Sequence, residues 1–355
     1  MSKRMIYILF LQIHLATALS FYAVKIMEST SKGHWEPILA GSLIELILIW
    51  LYLKGLSLSK GKDLVEIIRG MAGKWGSILI LLPVILFLFS RLILLVRHQI
   101  TDISIILLPQ TSLWATTLIY MILPFYAALK GISAIARMSV ATFILFIPFV
   151  LFSLLISFKN FDIHNVFPLW DPTLSFVSKP SFYVSMLTHA GFLFLGMASL
   201  NNKSITIREI WPVLALLTIF NIAIVYVPLL IFGQETVVLL EHPTLIASDT
   251  IDLEWVVFDW LPTFFIVSSS ALSVIEASVI CWMITLLIRK VIFPVHDKWL
   301  LPIIGVAVYA LSLMIPNLHT LNNLDSINAL FSIYSIVMIP VATFVSSLWR
   351  RRQNA

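Results

Sequence analysis

The stretch GSILILLPVILFLFSRLILLVR, from Gly76 to Arg97, is long enough to cross a bilayer and is apolar throughout except for Arg91. An arginine inside hydrocarbon costs about a few kcal/mol on insertion scales, so it is normally paired or faces a polar cavity. Arg91 lies one to two helical turns before Arg97, about 9 Å at the helical rise. Two interpretations follow: either Arg91 extends its side chain to the membrane interface, or it is a functional cation in a pocket.

The composition is that of an integral membrane protein. The chain has 355 residues, of which 60% are hydrophobic and 12% charged, and its mean hydropathy is +1.00. A soluble domain carries roughly twice that charged fraction. Repeated apolar runs of about 20 residues predict a polytopic α-helical protein. The single cysteine, Cys281, lies inside an apolar run, which excludes a disulfide framework.

The apolar runs predict ten membrane spans within a single transmembrane domain covering residues 1–355. Their predicted bounds are Met5–Val24, Pro37–Leu53, Gly76–Val96, Leu113–Leu129, Ile132–Phe158, Ser181–Leu200, Trp211–Phe232, Pro262–Ile288, Trp299–Ile315 and Asn328–Trp349.

Lysine and arginine collect in alternate loops, which fixes the expected orientation. One side receives Lys3 and Arg4 at the start, the pair Arg289 and Lys290, and the WRRR segment near the end, whereas the loops of the other side carry few cations. By the positive-inside rule both termini are cytoplasmic, which requires an even number of spans. Between spans two and three, residues 61–74 (GKDLVEIIRGMAGK) predict a short amphipathic cytoplasmic helix on the membrane surface.

Four further ionisable residues are predicted to lie in the middle half of the bilayer: His14, Glu45, His189 and Glu276. An isolated buried glutamate is protonated rather than charged, but an arginine within reach keeps it ionised. We therefore expect Arg91 to pair with Glu276. Glu45 has no obvious partner and is expected to be protonated or to face lipid. His14 and His189 are expected to be core histidines with a local hydrogen bond, or else ligands.

Spans one and six carry small and polar residues at corresponding places. These are Ala16, Thr17, Ala18 and Ser20 in span one, and Ser185, Thr188, His189, Gly191 and Gly196 in span six. Such segments let a membrane helix unwind near the midplane, as in transporters built from inverted repeats. Ten spans divide into two repeats of five, about residues 5–158 and 181–349, and an odd number of spans per repeat inverts the second copy.

Catalytic motifs are missing from the sequence. It contains no GxxxxGK[ST], HExxH or GxSxG pattern and no metal-ligand spacing of cysteine and histidine. We therefore predict no enzymatic activity, no cofactor and no metal site.

Several short stretches, in this order and spacing, resemble a known family. They are GKWGS (Gly73–Ser77), LLPQTSLW (Leu107–Trp114), KGISAIAR (Lys130–Arg137), FKNFDIHNVFPLW (Phe158–Trp170), FLGM (Phe194–Met197) and the WRRR ending. The chain resembles the permease-like B subunit of bacterial spore germinant receptors (GerAB-type), in the amino acid–polyamine–organocation (APC) superfamily.

The resemblance implies an all-α, LeuT-like fold of ten helices in a 5+5 inverted repeat. It also implies a receptor subunit in the spore inner membrane, or in the cell membrane, with an A-type membrane subunit and a C-type lipoprotein as partners. The pocket would lie between spans one and six and be lined by spans three and eight, and it would bind a small nutrient. The predicted ligand-binding residues are Ala16, Thr17, Ala18, Ser90, Arg91, Thr188, His189, Gly191, Leu195 and Glu276.

The chain departs from the family pattern in two places. Members usually carry Gly-x-Gly in span one, where this chain has Ala16-Thr17-Ala18, and alanine unwinds less readily than glycine. An acidic residue and an arginine usually precede span eight, where this chain reads VVFDWLPTFF, with Asp259 but no arginine. Either Arg91 takes over the ligand carboxylate while Glu276 faces an amine, or the two residues neutralise each other.

Three functions remain open from the sequence. The first is a nutrient-sensing receptor subunit. The second is a proton-coupled amino acid permease that uses Glu276 or Glu45. The third is a diverged structural subunit whose pocket is closed by a salt bridge.

Overall fold

The computed structural model describes residues 1–59, 61–198, 205–250 and 261–353, and this part of the chain is built of helices. The α-helices are α1 (Lys3–Thr17), α2 (Ala23–Ser29), α3 (Trp35–Leu58), α4 (Leu64–Ile106), α5 (Leu113–Lys130), α6 (Ile132–Ile156), α7 (Pro180–Ser185), α8 (Ile207–Val237), α9 (Pro243–Asp249), α10 (Leu261–Leu287), α11 (Asp297–Leu313) and α12 (Leu318–Gln353). Two π segments (Ala18–Tyr22 and Ile288–Ile292) and four 3₁₀ segments (Ser157–Asn160, Ile163–Val166, Ser175–Ser178 and Met186–Gly196) join them.

Eight helices in the described ranges are long and apolar enough to cross a membrane. Two further predicted spans take another form in the structure. Predicted span six is the short helix α7 followed by the eleven-residue 3₁₀ segment Met186–Gly196, and predicted span nine is α11, with 17 residues. Leu200, where span six was predicted to end, lies outside the described residues. The count of ten spans therefore stays a prediction.

The centre of the fold is formed by the first and the eighth predicted spans. In the most apolar window of Lys3–Ser29, 78% of the residues are buried, and in that of Leu261–Ile292 the share is 83%. In Ile132–Asn160 it is only 28%, as expected of a helix at the periphery that faces lipid. A polar side chain on α1 or α10 is therefore surrounded by protein.

Spans one and six both leave the regular α-helix where their composition predicts unwinding, but both stay helical. Span one passes from α1 through the π segment Ala18–Tyr22 into α2, and span six changes from α7 to a 3₁₀ helix at Met186. The π segment stays wound, because Thr17 and Ala18 keep ordinary right-handed helical φ and ψ angles. This agrees with the presence of alanine where glycine would unwind more readily. Irregular turns of this kind occur frequently at functional sites.

The third predicted span is part of a longer helix than the hydropathy indicates. A capping box between Asp63 and Glu66 begins α4, and a positive φ of 71° at Gly73 then separates its first turns from the spanning part. The helix continues past Val96, the predicted edge of the span, to Ile106 as a more polar stretch with buried residues such as Gln99 and Ile103. The surface location predicted for residues 61–74 stays a prediction.

Helices α4 and α10 are joined at both ends. On the side of the N-terminus of α4, the Lys290 ammonium group contacts the Asp63 carboxylate, and Arg69 Nη2 donates to the Lys290 carbonyl oxygen at 2.5 Å. Toward the opposite end, Gln99 Nε2 donates to Ser270 Oγ at 2.7 Å. These contacts fix how the two helices lie along each other.

The connection between α6 and α7 is held against the beginning of α3. Trp35 Nε1 donates to the Leu169 carbonyl oxygen at 2.8 Å. The Asp171 carboxylate accepts hydrogen bonds from the side chains and backbone N–H groups of Ser175 and Thr173. The Ser175 hydroxyl, followed by that of Thr173, holds the pKa of Asp171 well below its ordinary value, since these bonds favour the charged form. This connection is therefore an ordered part of the fold.

Candidate functional site

The predicted pair of Arg91 and Glu276 is confirmed by the structure. Arg91 Nη2 donates to Glu276 Oε1 at 2.9 Å and to Thr17 Oγ1 at 2.9 Å. The Thr17 hydroxyl in turn donates to Glu276 Oε1 at 2.8 Å. Arg91 is 4% exposed and Glu276 is 3% exposed. The alternative in which Arg91 reaches the membrane interface is therefore wrong.

Three helices bring these side chains together. Thr17 is the last residue of α1 before the π segment, Arg91 lies in the buried part of α4, and Glu276 lies in α10. Phe21 of the π segment places its ring 5.2 Å from the guanidinium carbon, within the range of a cation–π contact. The irregular turn of span one therefore touches the arginine from two sides, through Thr17 and through Phe21.

One oxygen of the Glu276 carboxylate is left without a partner. Oε1 receives both bonds described above, whereas Oε2 is buried and has no hydrogen-bond partner among the described residues. A buried carboxylate oxygen without a donor is costly, because it has lost its water. Glu276 Oε2 can therefore accept a hydrogen bond from one further donor.

The remaining predicted residues of spans one and three lie near this pair with different contacts. Ala16 and Ala18 flank Thr17 and are each 1% exposed. The Ser90 hydroxyl donates to Asn328 Oδ1 of α12 at 2.5 Å, so it is engaged with a different helix from Arg91. The structure therefore does not bring Ser90 together with the Arg91–Glu276 pair.

The predicted residues of span six lie close to a second charged cluster. Glu45 Oε2 lies 2.6 Å from His189 Nδ1, and Glu45 Oε1 lies 2.9 Å from His14 Nε2. His14 Nδ1 also lies 2.7 Å from the Phe10 carbonyl oxygen, which is the local hydrogen bond expected of a core histidine. Each member is at most 3% exposed. We call His14, Glu45 and His189 the buried triad.

The triad corrects the expectation that Glu45 is unpaired or faces lipid. Its carboxylate bridges two imidazoles that belong to two other spans, so it faces the interior. Two histidines and a glutamate predicted at similar depth were the sequence signal, because buried ionisable groups pair with one another. The sequence alone did not fix which helix faces carry them.

Two glycines let the imidazoles of the triad approach the neighbouring backbone. A Cβ at Gly191 would lie 2.6 Å from His14 Cε1, and a Cβ at Gly41 would lie 2.8 Å from His189 Nε2. Gly191, predicted as a ligand residue, thus provides the surface on which the His14 ring packs. Thr188 and Leu195 of the same segment are buried, and the Thr188 hydroxyl has no partner within the described part of the chain.

Acid–histidine pairs also occur beyond the predicted end of span three. His98 Nε2 lies 2.6 Å from Asp325 Oδ2 of α12, and His242 Nδ1 lies 3.1 Å from Asp102 Oδ1. A small cavity between α4, α9, α10 and the π segment is lined by Asp102, His242 and Phe21, among others. Phe21 therefore borders this cavity and also contacts Arg91.

Fold and site together define a multi-pass membrane protein of transporter architecture, with charges of both signs in its centre. The chain belongs to a family of spore germination proteins, the spore permeases, whose family model matches residues 1–320. No curated protein sequence shows a significant match.

Solved structures of transporters share the fold. A mutant of the Eremococcus coleocola manganese transporter is 13% identical with a TM-score of 0.65, covering 96% of this chain and 78% of that one. A nucleobase-cation-symport-1 family transporter, in a closed conformation with bromovinylhydantoin bound, is 14% identical with a TM-score of 0.59, covering 90% and 74%. At such low identity the similarity establishes the all-helical, LeuT-like fold and leaves the ligand open.

Proposed function

We propose that this chain is the B-type subunit of a spore germinant receptor and that it binds a small, amino acid-like nutrient between spans one, three, six and eight. Its membership of the spore germination family and its transporter fold support this role. The observation that carries the proposal is the buried Arg91–Glu276 pair, with Glu276 Oε2 still lacking a donor. On this proposal the protein catalyses no covalent reaction.

The pair is chemically complementary to an amino acid zwitterion. A ligand carboxylate replaces Glu276 on the Arg91 guanidinium, and the ligand ammonium donates to the Glu276 carboxylate. Each buried charge then keeps an opposite partner, so the exchange avoids the large penalty of stranding one of them. Thr17 and Phe21 move with the ligand, because both contact Arg91 from the irregular turn of span one.

The proposed site takes residues from four spans. Thr17 with its neighbours Ala16 and Ala18, and Arg91, form one wall together with Glu276. Thr188, His189, Gly191 and Leu195 contribute the face of span six. Ser90 is kept at the edge of the site, because its hydroxyl contacts α12.

The proposed setting is the spore inner membrane or the cell membrane, with both termini in the cytoplasm. The orientation rests on the lysines and arginines of alternate loops. The proposed partners are an A-type membrane subunit and a C-type lipoprotein. Neighbouring genes for both would support this assembly.

Two other functions make different predictions for the same site. A diverged structural subunit would keep Arg91 and Glu276 in direct contact and bind no ligand. The distance of 2.9 Å between the two side chains is the observation that favours this function. A proton-coupled permease would take up protons with its substrate when reconstituted in liposomes. Solute-dependent acidification of the vesicle interior would therefore assign the permease function.

The test replaces Glu276 by glutamine and follows germination as a function of nutrient concentration. We expect spores carrying Glu276→Gln to respond normally to nutrients of other receptors. The dose for this receptor's own nutrient rises by about 10- to 100-fold, since a charged hydrogen bond is worth roughly 1.5–3 kcal/mol. In parallel, the purified chain is heated with a panel of standard amino acids, one of which should raise its melting temperature.

The matched control is Glu28→Gln. Glu28 is an exposed carboxylate at the end of span one that contacts Lys25 at 3.0 Å. Its replacement should leave the dose response unchanged. An unchanged response for Glu276→Gln, together with no stabilising amino acid, contradicts the nutrient site and leaves the closed structural subunit.

A further inference from the structure

The buried triad joins three spans around one carboxylate. Glu45 of α3 contacts His14 of α1 through one oxygen and His189 of the 3₁₀ segment through the other. His14 also packs directly on the Gly191 backbone of that segment. The two irregular spans therefore meet each other, and both meet α3, through side chains that gain or lose protons.

The hydrogen-bond partners fix how many protons the triad holds. The Phe10 carbonyl oxygen only accepts, so His14 Nδ1 carries a hydrogen. His14 Nε2 and Glu45 Oε1 lie 2.9 Å apart without forming an aligned hydrogen bond, and we assign a second proton to this contact, because two lone pairs would repel there. A third lies between His189 Nδ1 and Glu45 Oε2, at 2.6 Å. With these three protons the triad is electrically neutral.

The proton between His14 and Glu45 is the exchangeable one. Its loss leaves a neutral imidazole and a negative carboxylate facing each other through lone pairs, with one uncompensated buried charge. That contact is also not a straight hydrogen bond, since neither Nε2 nor Oε1 has a well-aligned partner in the described part of the chain. Losing the proton therefore favours a larger separation of α1 from α3.

We propose that the buried triad is a proton-binding site whose occupancy sets the position of the irregular turns of spans one and six. One proton from solvent binds in the contact between His14 Nε2 and Glu45 Oε1, and the same proton is released there. The two imidazoles face two different carboxylate oxygens rather than a common point. Within the described ranges no group of histidine, cysteine and carboxylate side chains has the geometry of a metal site, so the ligand assigned here is the proton.

Other charged and titratable groups around the triad belong to its neighbours. Tyr22 of the π segment packs edge-on against His189 with ring centroids 6.1 Å apart, and Glu276 of α10 acts on His14 from the other side, already paired with Arg91 of α4. The titratable groups of the other packed helices contact different partners. These contacts are Tyr52 of α3 with Leu193, Tyr183 of α7 with Val177, Tyr226 of α8 with His34, and, in α12, Asp325 with His98 and Tyr334 with Ile80. Arg137 lies near the start of α6.

This inference goes beyond the proposed nutrient site and does not require it. The two sites are nevertheless connected, because His14 and Thr17 lie about one turn, or ~4.5 Å, apart on α1. A proton bound at His14 therefore influences the helix end that holds Arg91. By thermodynamic linkage, nutrient binding would change the proton affinity of the triad by the same factor by which proton binding changes the affinity for the nutrient.

The test measures the position of the π segment as a function of pH, without nutrient. Cys281 is replaced by serine in the full-length chain, and Ser20→Cys is introduced at the cavity-lining face of the π segment. The labelling rate with a thiol reagent is divided by that of Ser178→Cys, an exposed residue before α7, which corrects for the pH dependence that the reagent and an exposed thiol have in common. We expect the ratio to change by about tenfold between roughly pH 5 and pH 8.

Variants then assign the change to the triad. Glu45→Gln and His14→Gln should each abolish the pH dependence or move its midpoint by about one pH unit or more. Asp325→Asn is the matched control, since it alters another buried acid–histidine contact, at 2.6 Å, whose histidine meets span one only by the stacking of His98 on Phe21. His242→Gln removes the histidine that lines the same cavity as Ser20. Both controls should keep the parent curve.

Three outcomes overturn the proposal. A labelling ratio that is flat with pH in the parent chain overturns it whether or not the variants fold. An unchanged curve in well-folded Glu45→Gln, or loss of the curve in His242→Gln, also overturns it. A failure here, with an amino acid still stabilising the chain, leaves the nutrient site intact. The opposite combination removes the nutrient site and keeps the proton site.

Discussion

The Arg91–Glu276 pair and the buried triad each hold a glutamate against α1, and they differ in what neutralises it. A guanidinium stays protonated at any physiological pH. An imidazole changes its charge in the physiological range. The first site therefore keeps its charges and exchanges partners, whereas the second keeps its partners and exchanges a proton. The same carboxylate chemistry gives two kinds of site according to the base beside it.

The two sites also differ in the helices that they join. The pair links α1 to α4 and α10, and the triad links α1 to α3 and to the 3₁₀ segment of span six. Only span one takes part in both. A substitution in one site is therefore informative about the other through α1.

The largest effect is expected when the permanent charge is removed. Arg91→Ala strands the Glu276 carboxylate, which costs about 3–5 kcal/mol when a buried pair is broken from one side. The double variant Arg91→Ala/Glu276→Ala removes both charges and should be more stable than the single one. Melting temperature should rank the variants in that order, with the exposed Arg137→Ala as the control. Receptor-specific germination should be lost in both, because each lacks a residue of the proposed nutrient site. A double variant as damaged as the sum of both single changes would show that the two residues act independently.

A smaller effect is expected from the equivalent change in the triad. Glu45→Ala leaves two imidazoles that lose their shared acceptor but become neutral by releasing a proton, so the expected cost is about 1–3 kcal/mol. The loss of stability in Glu45→Ala should be larger at low pH, where protonation of either histidine leaves a buried cation without its carboxylate. Thermal unfolding of Glu45→Ala and Arg91→Ala across the same pH range checks this contrast. A cost as large and as pH-independent as that of Arg91→Ala would erase the distinction between the two sites.

An effect of similar size on stability is expected at the glycine beneath His14. Gly191→Ala places a methyl group 2.6 Å from His14 Cε1, so the ring must shift, and such overpacking costs about 1–3 kcal/mol. The shift should alter the pH response of span one. Gly305→Ala is the control, since its methyl group would meet the edge of Phe125 at 3.3 Å, far from either site. Equal effects of both substitutions on the pH response would dissociate Gly191 from the triad.

The sequence predicted the parts of this protein that depend on composition and depth. Long apolar runs identify the spans. Arg91 was predicted to pair with Glu276, because an arginine in the membrane needs an anion at similar depth. The polar composition of spans one and six marked where both leave the regular α-helix, but neither segment is unwound as predicted. The association of Glu45 with His14 and His189 was missed, because it depends on the rotation of three helices about their axes. The extension of α4 beyond Val96 was missed because hydropathy detects the membrane rather than the end of a helix.

Helices α4 and α10 are tied directly at two depths, by Arg91 with Glu276 and by Gln99 with Ser270. Asp63, the N-cap of α4, also contacts Lys290 in the π segment that follows α10. Arg91 and Gln99 alone are about 12 Å apart along α4. Two helices held together at separated points lose the freedom to rotate or slide against each other, so α10 and the part of α4 after Gly73 behave as a single frame. Breaking the contact between Arg91 and Glu276 leaves the other two contacts in place, so α4 and α10 keep their relative position. The degrees of freedom that remain belong to spans one and six, which move against this frame.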